Sequence, residues 1–408
     1  MLRSWKGGVL LNKKWMVMLL VIAMVVTMAG VVGCGNGEET TETSGDGETE
    51  TTEAAVPFLF GLAGPMTGQY ATYGASHTAG ADIAVAALND AGGVNGGEAS
   101  YVTGDDLGDP KEAVLVAQKF IDDPELLFVN GHMFSGATLA AGPKYEDAGL
   151  PMMSPSATNP DITDLGPYTW RICMTDSVQG EGLARYTVND LGFTKIAIMY
   201  DDSDYGRGLA DAYEAAVAEA GGEVLGREQY TAGNTDFKAQ LTKIKQSSPE
   251  IIFLSGYYPE GSKIAQQASE LGMGDVQLLG SDGYASDELV KLGGAAVEGM
   301  LVSTFFDYTL DDPDVQAFVE AYKAEHEGGN PDWFAANAYD VTMLMAAAAE
   351  AAGSNDREAI NEAIGGLGTY SGITGSVTFD ENGDVLKPLN IVVVKDGSLQ
   401  TASVQPSE

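Results

Sequence analysis

From Pro57 onward, short apolar runs that fit buried strands alternate with segments in which apolar residues recur at helical spacing. Residues 58–62 form the first such run, and residues 76–89 follow with a helical apolar period that stops at two glycines. A second helix is predicted over Pro110–Ile121, because proline suits the first turn of a helix. Further strands are predicted over residues 101–103 and 126–129.

The same alternation begins again in the second half of the chain. Residues 195–200 and 251–254 are predicted to be buried strands, and residues 207–220 a helix that ends at Gly221 and Gly222. Consecutive βα units build parallel sheets with right-handed crossovers. Two such runs, divided near residue 175, predict an α/β protein with two doubly wound parallel-sheet lobes. Further helices are predicted over 237–246 and 261–271, and a further strand over 276–279.

The C-terminal part of the chain does not simply extend the second run of units. Because a chain that forms two lobes can pass between them more than once, we expect a hinge of three crossovers, near residues 175, 304 and 385. Lobe 1 would then contain residues 57–175 and 305–385, and lobe 2 residues 176–304 and 386–408. The predicted elements of this part are helices over Pro313–Glu325, 333–351 and 358–364, and strands over 377–379 and 391–394.

The first 34 residues have the composition of a targeting segment. An uncharged apolar stretch over 15–32 ends in Val-Val-Gly-Cys34, and it follows four basic residues, Arg3, Lys6, Lys13 and Lys14. This pattern predicts a signal peptide over 1–34 with a lipobox, in which Cys34 is lipidated and becomes the new N-terminus. An uncleaved membrane helix is the alternative, since 18 apolar residues reach the lower limit for spanning a bilayer. Either interpretation places the remainder outside the cytoplasm and anchors it to the cell membrane.

An acidic segment follows the leader. Residues 35–55 contain many acids and no large apolar side chain, so they cannot bury enough surface to offset chain entropy. Residues 35–56 are therefore predicted to be a disordered acidic tether. The whole chain has a net charge of −38, and 17 basic residues face 59 acidic ones once the four basic residues of the leader are removed. Phosphate neutralisation needs clustered Lys and Arg, so we expect no nucleic-acid partner.

Enzymatic chemistry has little support in the sequence. His77, His132 and His326 do not stand at a metal-ligand spacing, and the sequence has no nucleophile elbow, phosphate loop or dinucleotide-binding glycine motif. Of the two cysteines, Cys34 belongs to the leader, which leaves Cys173 without an intrachain partner and predicts that it is a small core residue. We therefore expect no catalytic residue, metal or cofactor.

Short polar residues follow several of the predicted strands, where open α/β sheets place their ligands. Taken singly, such residues are more often helix N-caps, turns or half-buried packing residues. Together they offer hydroxyls and helix N–H groups for a carboxylate, Asp282 for an ammonium group, and tyrosines for the walls of a cleft. The combination predicts a site for a zwitterion. The segments concerned are 61–74, 131–138, 154–160, 201–206, 255–260 and 280–283.

At these segments the chain resembles the leucine/isoleucine/valine-binding protein family, the type I periplasmic solute-binding proteins that serve branched-chain amino acid ABC importers. The resemblance extends over residues 58–394. It rests on GPMTGQYATYG with ALNDAGGVNG, on GHMFSGAT and SPSATNP, and on DSVQG, YGRGLAD and GYYPEG, which stand in the order and spacing of the family. It implies the type I periplasmic binding protein fold, whose two lobes close on a ligand.

The resemblance also implies roles for individual residues. Ser135 and Thr158 would hold the ligand carboxylate, and Ser156 would contribute backbone groups. Asp282 would pair with the ammonium group, at a position where close relatives have the longer glutamate. Tyrosines would line the cleft and close over the ligand, namely Tyr73, Tyr205 and Tyr257.

Met133 and Phe134 would lie beside the pocket that receives the side chain of the ligand. We call these two residues the specificity wall, because they would determine which amino acid is preferred. Phe134 stands where some close relatives have a disulfide cysteine. From the resemblance we expect a monomeric, lipid-anchored receptor that captures an apolar L-amino acid, preferably leucine, isoleucine or valine, and delivers it to the permease subunits of an ABC importer. A binder of an amide, urea or another amino acid would be a rival within the same class, although the acid at position 282 favours an ammonium group. Rivals from different classes are a sensory ligand-binding module and a secreted hydrolase.

Overall fold

Two β-sheets organise residues 55–405, the part of the chain described by the structure, a computed structural model. The first sheet has five parallel strands in the order β2-β1-β3-β4-β5. Phe60 of the second strand in this order aligns with Tyr101 on one side and with Phe128 on the other. The strands are β1 (Phe58–Gly64), β2 (Ala99–Asp105), β3 (Phe128–Asn130), β4 (Met152–Ser154) and β5 (Thr169–Arg171).

The second sheet has seven strands in the order β14-β13-β10-β9-β8-β6-β7. Its strands are β6 (Lys195–Asp201), β7 (Glu223–Tyr230), β8 (Ile251–Ser255), β9 (Gln277–Gly280), β10 (Leu301–Thr304), β13 (Leu389–Lys395) and β14 (Ser398–Gln405). The strands from β6 to β10 are parallel, whereas β13 runs antiparallel to β10 and β14 antiparallel to β13. A small antiparallel pair stands apart, β11 (Thr369–Gly372) with β12 (Gly375–Thr378).

Eleven α-helices connect or cover these strands within the described residues. Alternate residues of β1 show why helices lie on both faces of the first sheet. Phe58 and Phe60 pack in one core cluster with Leu344, whereas a Cβ added at Gly61 would lie 2.6 Å from the Phe120 ring. The helices are α1 (Ala71–Asp90), α2 (Pro110–Ile121), α3 (Ser135–Ala148), α4 (Asp176–Arg185), α5 (Asp204–Glu219), α6 (Lys238–Ser247), α7 (Tyr258–Glu270), α8 (Asp287–Gly293), α9 (Pro313–Glu325), α10 (Trp333–Ala352) and α11 (Arg357–Gly366).

The chain passes between the two sheets three times. It leaves the first sheet after Arg171, leaves the second after Thr304, and returns to the second at Leu389. Between the last two passages, α10 packs on α1 and β3, beside the first sheet. We call the first sheet with its helices the first lobe and the second sheet with its helices the second lobe. The predicted fold class, α/β with two doubly wound lobes, is confirmed.

The antiparallel edge of the second sheet differs from the purely parallel sheets that were expected. β13 reaches this sheet from the first lobe and not through a βα crossover, so the right-handed crossover rule does not apply to it. Two strands that the apolar pattern missed, β7 and β14, lie at the two edges of the sheet. Most of their residues are exposed or half-buried, which removes the apolar run that marks a buried strand.

Local sequence signals account for several helix starts. Asp109 accepts hydrogen bonds from the backbone N–H groups of Lys111 and Glu112, and Pro110 occupies the first helical position of α2, as predicted. Asp332 caps α10 in the same way, through the N–H of Ala335. The helix predicted from residue 261 begins at Tyr258 instead, because proline stands at its first turn and Tyr257 is still extended.

Several sequence predictions lie outside the described residues. These are the signal peptide over 1–34, Cys34, and the tether over 35–56 except for its last two residues. Within residues 55–405, none of the helices has the length and apolar character needed to cross a bilayer. Cys173 is buried and carries a free thiol.

Candidate functional site

A small cavity lies between the carboxyl ends of strands from both sheets. Most of the residues predicted from the sequence to bind a ligand line it. Open α/β sheets place ligands at this edge. The lining consists of Met133, Phe134, Ser135, Ser156 and Phe334 from the first lobe, and Tyr205, Tyr257, Asp282 and Gly283 from the second.

The first-lobe wall is built from two segments that hydrogen-bond to each other. Ser135 is the first residue of α3, and its Oγ accepts a hydrogen bond from the backbone N–H of Asn159 at 3.3 Å. Ser156 Oγ donates to the carbonyl of Met133 at 2.8 Å. Thr158 is fully buried. The N-terminus of α3 therefore presents its free N–H groups beside fixed hydroxyls, an arrangement that suits a carboxylate.

Behind this wall, a buried histidine fixes the segment that precedes α3. His132 Nδ1 lies 2.6 Å from Asp106 Oδ2, and its Nε2 lies 3.0 Å from the Tyr145 hydroxyl. The carbonyl of His132 accepts hydrogen bonds from Ser154 Oγ at 2.6 Å and from Thr138 Oγ1 at 3.0 Å. With both ring nitrogens and its carbonyl engaged, His132 sets the position of the backbone that leads to Ser135.

Arg171 holds the second segment of the wall and is itself fully buried. Its guanidinium donates to the carbonyls of Asn159 at 2.7 Å and Pro160 at 2.9 Å. Its Nε lies 2.6 Å from Asp384 Oδ1, which belongs to the last passage between the sheets. Arg171 therefore ties the ligand-facing backbone near residue 158 to the hinge.

The second-lobe wall carries a buried acid at the carboxyl end of β9. Asp282 Oδ1 accepts a hydrogen bond of 2.5 Å from the Tyr205 hydroxyl, and Ser281 Oγ lies 2.8 Å from the same hydroxyl. Burial raises the pKa of Asp282 to about 6, against the lowering effect of the Tyr205 hydrogen bond. No Lys, Arg or His within residues 55–405 forms an ion pair with this carboxylate. The site thus offers a desolvated acid that a cation would stabilise.

An aromatic cluster from both lobes closes over the cavity. The Phe134 ring stacks on Tyr257 with 4.5 Å between centroids, and it meets Tyr70 and Tyr73 edge-on at 5.2 and 5.5 Å. Gly108 makes room for this ring, since a Cβ there would lie 2.8 Å from Phe134. Because Gly108 has no side chain, the Phe134 ring has room beside the cavity.

Polar contacts between the lobes surround the same cavity. The Tyr73 hydroxyl donates to the carbonyl of Gly283 at 2.6 Å and accepts from the N–H of Tyr258 at 3.2 Å. Trp333 Nε1 donates to the carbonyl of Asp282 at 3.1 Å. The structure therefore has the two lobes in contact around the site.

The structure distributes the predicted residues as follows. Thr158 and Tyr73 stand just behind the lining, and the sequence-predicted residues that form the lining itself are Met133, Phe134, Ser135, Ser156, Tyr205, Tyr257 and Asp282. The sequence prediction missed Phe334, which lies in the second position of α10 and reads as part of an apolar helix. Nothing in its local pattern indicates that this helix begins at the cleft.

The size of a cavity alone does not identify the ligand site. A larger cavity is lined by Trp333 and Asp332 but by none of the predicted ligand residues. Within residues 55–405, no cluster of His, Cys, Asp and Glu is arranged to hold a metal ion. The small cavity combines helix N–H groups, hydroxyls, a buried acid and an apolar wall, and this is the chemistry that a zwitterion with an apolar side chain requires.

Two doubly wound lobes with a polar cleft at their strand ends define the class of two-lobed solute-binding proteins. The family model described as "Periplasmic binding protein" matches residues 57–398. The chain therefore belongs to the periplasmic binding protein family, as the motifs predicted. Its relatives serve ABC transporters as substrate-binding proteins and not as enzymes, and the family is extracytoplasmic.

The chain is similar to curated relatives and solved structures over most of its length. It is 36% identical to "Leu/Ile/Val-binding protein homolog 1" of Brucella suis biovar 1, over 81% of this chain and 88% of the relative. It is also 36% identical to the "Leucine-, isoleucine-, valine-, threonine-, and alanine-binding protein" of Pseudomonas aeruginosa, over the same shares. Its fold matches the crystal structure of Streptococcus pneumoniae LivJ in complex with isoleucine with a TM-score of 0.81, at 31% identity, over 86% of this chain and 99% of that one.

Proposed function

We propose that this protein captures an apolar L-amino acid, with leucine, isoleucine and valine as the favoured ligands, and delivers it to an ABC importer. The proposal rests chiefly on one cavity that presents helix N–H groups and a hydroxyl on one side and a buried carboxylate on the other. The N-terminus of α3 with Ser135 faces one side, and the buried Asp282 faces the other. An amino acid carries the complementary charges on adjacent groups.

The carboxylate of the ligand would meet Ser135 and the free N–H groups of α3, and its ammonium group would meet Asp282. Both ligand charges leave water on closure, so each needs a full set of partners. The Tyr205 hydroxyl orients the Asp282 carboxylate for that role. The apolar side chain would lie against the specificity wall, Met133 and Phe134, and against Tyr257 and Phe334. An amide or urea would leave Asp282 without a cation, which disfavours such ligands.

The identity of the ligand is tested by thermal unfolding of the purified protein with each of the twenty amino acids. A ligand at 100 times its dissociation constant stabilises the folded state by about 2.7 kcal/mol. We expect the largest rise in melting temperature with leucine, isoleucine or valine, and none with urea or acetamide. A rise with none of the amino acids would contradict the proposed function.

The anchor is a separate element of the proposal. Cys34 stands at the end of a lipobox-like segment, so Cys34→Ser is expected to release the protein from membranes or to leave it unprocessed. Membrane fractionation and gel mobility measure both effects, and Cys173→Ser provides a matched control at the buried thiol. A Cys34→Ser variant that fractionates and migrates like the wild type would contradict lipid attachment at Cys34.

A further inference from the structure

The larger cavity described above shares no lining residue with the cavity that contains Asp282. We call it the accessory cavity. Its walls come from α1, α9 and the start of α10 in the first lobe, and from the start of α8 with β13 and β14 in the second. The lining residues of interest are Asp287 of the second lobe, Phe306 and Tyr308 of the second passage between the sheets, and Tyr322, Asp332 and Trp333 of the first lobe.

Aromatic side chains form one part of the accessory cavity. Phe306 and Trp333 are buried in the protein and still reach its lining, and Tyr322 is half-buried there. The Tyr308 hydroxyl donates to the carbonyl of Leu399 at 3.1 Å, which fixes this ring at the cavity. Aromatic rings attract cations through the negative charge of their faces. The cavity is therefore suited to a cation with an apolar surface.

Two acids line the same cavity, Asp287 and Asp332, and neither forms an ion pair with a residue among 55–405. Burial raises the pKa of Asp332 to about 6, and the nearby charge of Asp287 raises it further. Burial also raises the pKa of Asp287, against the lowering effect of Lys291. Negative charge in a partly desolvated space is costly, and a cation in the cavity would offset that cost.

The basic side chains that line the cavity are engaged elsewhere. Lys291 Nζ lies 2.6 Å from Glu288 Oε1, and the exposed His326 ring stacks on Tyr322 with 4.3 Å between centroids. The positions of Asp287 and Asp332 at helix starts account for an acid at each place, because the positive end of a helix favours negative charge. Helix starts do not account for the aromatic rings that surround the same space.

The hydrogen bonds of Asp332 indicate which kind of cation fits. Its Oδ2 accepts from Ser76 Oγ at 2.7 Å, and its Oδ1 accepts from the N–H of Ala335 at 3.0 Å. Each oxygen is thus already in use, which leaves fewer acceptors for the three N–H donors of a primary ammonium group. A quaternary ammonium ion has no N–H group and binds through its charge and through aromatic rings.

We propose that the accessory cavity binds a quaternary ammonium ion and that this ion holds the two lobes together. Its charge lies near Asp287 and Asp332, and its alkyl groups contact the rings of Tyr322 and Trp333. Because Asp287 belongs to the second lobe and the other three residues to the first, the ion bridges the lobes. The coupling to amino-acid binding, but not the accessory site itself, rests on the proposed function.

A direct contact connects the two cavities. Trp333 lines the accessory cavity, and its Nε1 donates to the carbonyl of Asp282 at 3.1 Å. An ion that packs on Trp333 therefore favours the arrangement in which the second-lobe acid meets the first lobe. Amino acid and quaternary ammonium ion should then each raise the affinity of the other, because coupling between two sites is reciprocal.

Titration calorimetry of the wild type at constant ionic strength tests the site, with choline as the probe. Choline should bind, whereas its uncharged analogue with carbon in place of nitrogen, 3,3-dimethylbutan-1-ol, should not. Ethanolamine, which carries a primary ammonium group, should bind more weakly than choline. Absence of choline binding with and without leucine, equal binding of the uncharged alcohol, or tighter binding of ethanolamine would each overturn the proposal.

Two substitutions locate the binding. Tyr322→Leu keeps an apolar side chain but removes the ring, and it should weaken choline binding about 2- to 30-fold. Asp287→Asn should weaken it about two- to fivefold, because this acid is half-buried. Asp314→Asn, a first-turn acid of α9 outside this cavity, is the matched control. Wild-type choline affinity in both Tyr322→Leu and Asp287→Asn would overturn the assignment, and if either variant fails to fold, the comparison of probes on the wild type still decides.

The coupling is measured by titrating leucine with and without saturating choline. Choline should raise the affinity for leucine about fivefold or more, and Tyr322→Leu should reduce this effect while leaving leucine binding without choline unchanged. A choline ion in the amino-acid site would instead compete with leucine, so a fall in leucine affinity would overturn the proposal, as would bound choline with no effect. A wild type that binds choline but no amino acid contradicts the proposed function, whereas one that binds leucine but no choline overturns only this inference.

Discussion

The two walls of the cleft differ in charge, because the first presents hydroxyls and helix N–H groups and the second a buried carboxylate. In the first lobe, Ser135 and Ser156 are hydrogen-bonded within the wall, and His132 and Arg171 hold its backbone from behind. In the second lobe, Asp282 is buried with hydroxyl and amide neighbours but no ion-pair partner among the described residues, and burial raises its pKa to about 6.

This difference indicates a division of roles between the lobes. The first wall has its geometry fixed before a ligand arrives, so little ordering is needed when a carboxylate binds there. The second wall carries a charge that only an incoming cation neutralises, so its contribution appears when the lobes close on the ligand. Substitutions in the two walls should therefore have different effects on the ligand-free protein.

The largest expected effect comes from removing both first-wall hydroxyls. Ser135→Ala combined with Thr158→Ala should abolish measurable binding, since hydrogen bonds to charged groups contribute about 1.5–3 kcal/mol each. Calorimetry with the best ligand measures the loss, and Thr242→Ala, an exposed hydroxyl on α6, is the control. The melting temperature without ligand should change little. Binding that survives in the double mutant would show that these hydroxyls are not ligand contacts.

The next effect concerns the unpaired acid of the second wall. Asp282→Asn keeps the shape but removes the charge, and truncating one side of a desolvated charge pair costs about 2–5 kcal/mol of binding free energy. Asp332→Asn is a matched control, because burial also raises the pKa of Asp332 to about 6 but its carboxylate caps α10 and accepts from Ser76. The control should lower stability without affecting affinity. Unchanged affinity of a folded Asp282→Asn variant would remove Asp282 from the site.

A smaller effect is expected on ligand preference. Phe134→Ala removes the ring that stacks on Tyr257, so larger apolar amino acids should gain relative to smaller ones. One methylene in an apolar pocket is worth about 1–3 kcal/mol, so the ratio of leucine to valine affinity should shift by about tenfold or more. Phe379→Ala, an aromatic residue that packs on Trp170, is the control. An unchanged ratio would exclude Phe134 from the specificity wall.

The smallest expected effect is a pH dependence of the ligand-free protein. Burial raises the pKa of Asp201 to about 7 and that of Asp282 and Asp332 to about 6, from 3.8. At these three acids the folded state therefore binds more protons than the unfolded state between these values. Their contribution to stability is fully present below about pH 4 and is lost as pH rises through 6 to 7. The melting temperature should be higher at about pH 5 than at about pH 8. Saturating amino acid should reduce this difference, because it favours ionised Asp282; an opposite trend without ligand would contradict these shifts.

The sequence predicted most of the interior strands and most helices, because buried parallel strands are continuous apolar runs, but it missed the short buried strands β4 and β10. Residues 195–200 and 251–254 are examples, and both lie within observed strands. The edge strands β7 and β14 were not predicted, because most of their residues are exposed or half-buried and do not form an apolar run. For the site, residues such as Asp282 were found because they follow predicted strands and match family motifs.

The supporting residues could not be found in that way. Arg171 stands in a stretch that reads locally as core. The partners of His132 and Arg171, Asp106 and Asp384, are distant in sequence. These contacts depend on how the chain passes between the lobes, and no local pattern encodes that geometry.

The central claim is that the two lobes close on the ligand. Small-angle X-ray scattering of the purified protein, with and without a saturating amino acid, tests this claim most directly. In the structure the lobes touch through Tyr73 and Gly283 and through Trp333 and Asp282, which is the arrangement expected around a bound ligand. Without ligand, the desolvated acid favours an open cleft. The radius of gyration of the wild type should fall when the amino acid is added, and that of the Ser135→Ala, Thr158→Ala double mutant should not. An identical radius of gyration for the wild type in both conditions, at a ligand concentration that calorimetry shows to be saturating, would contradict the account.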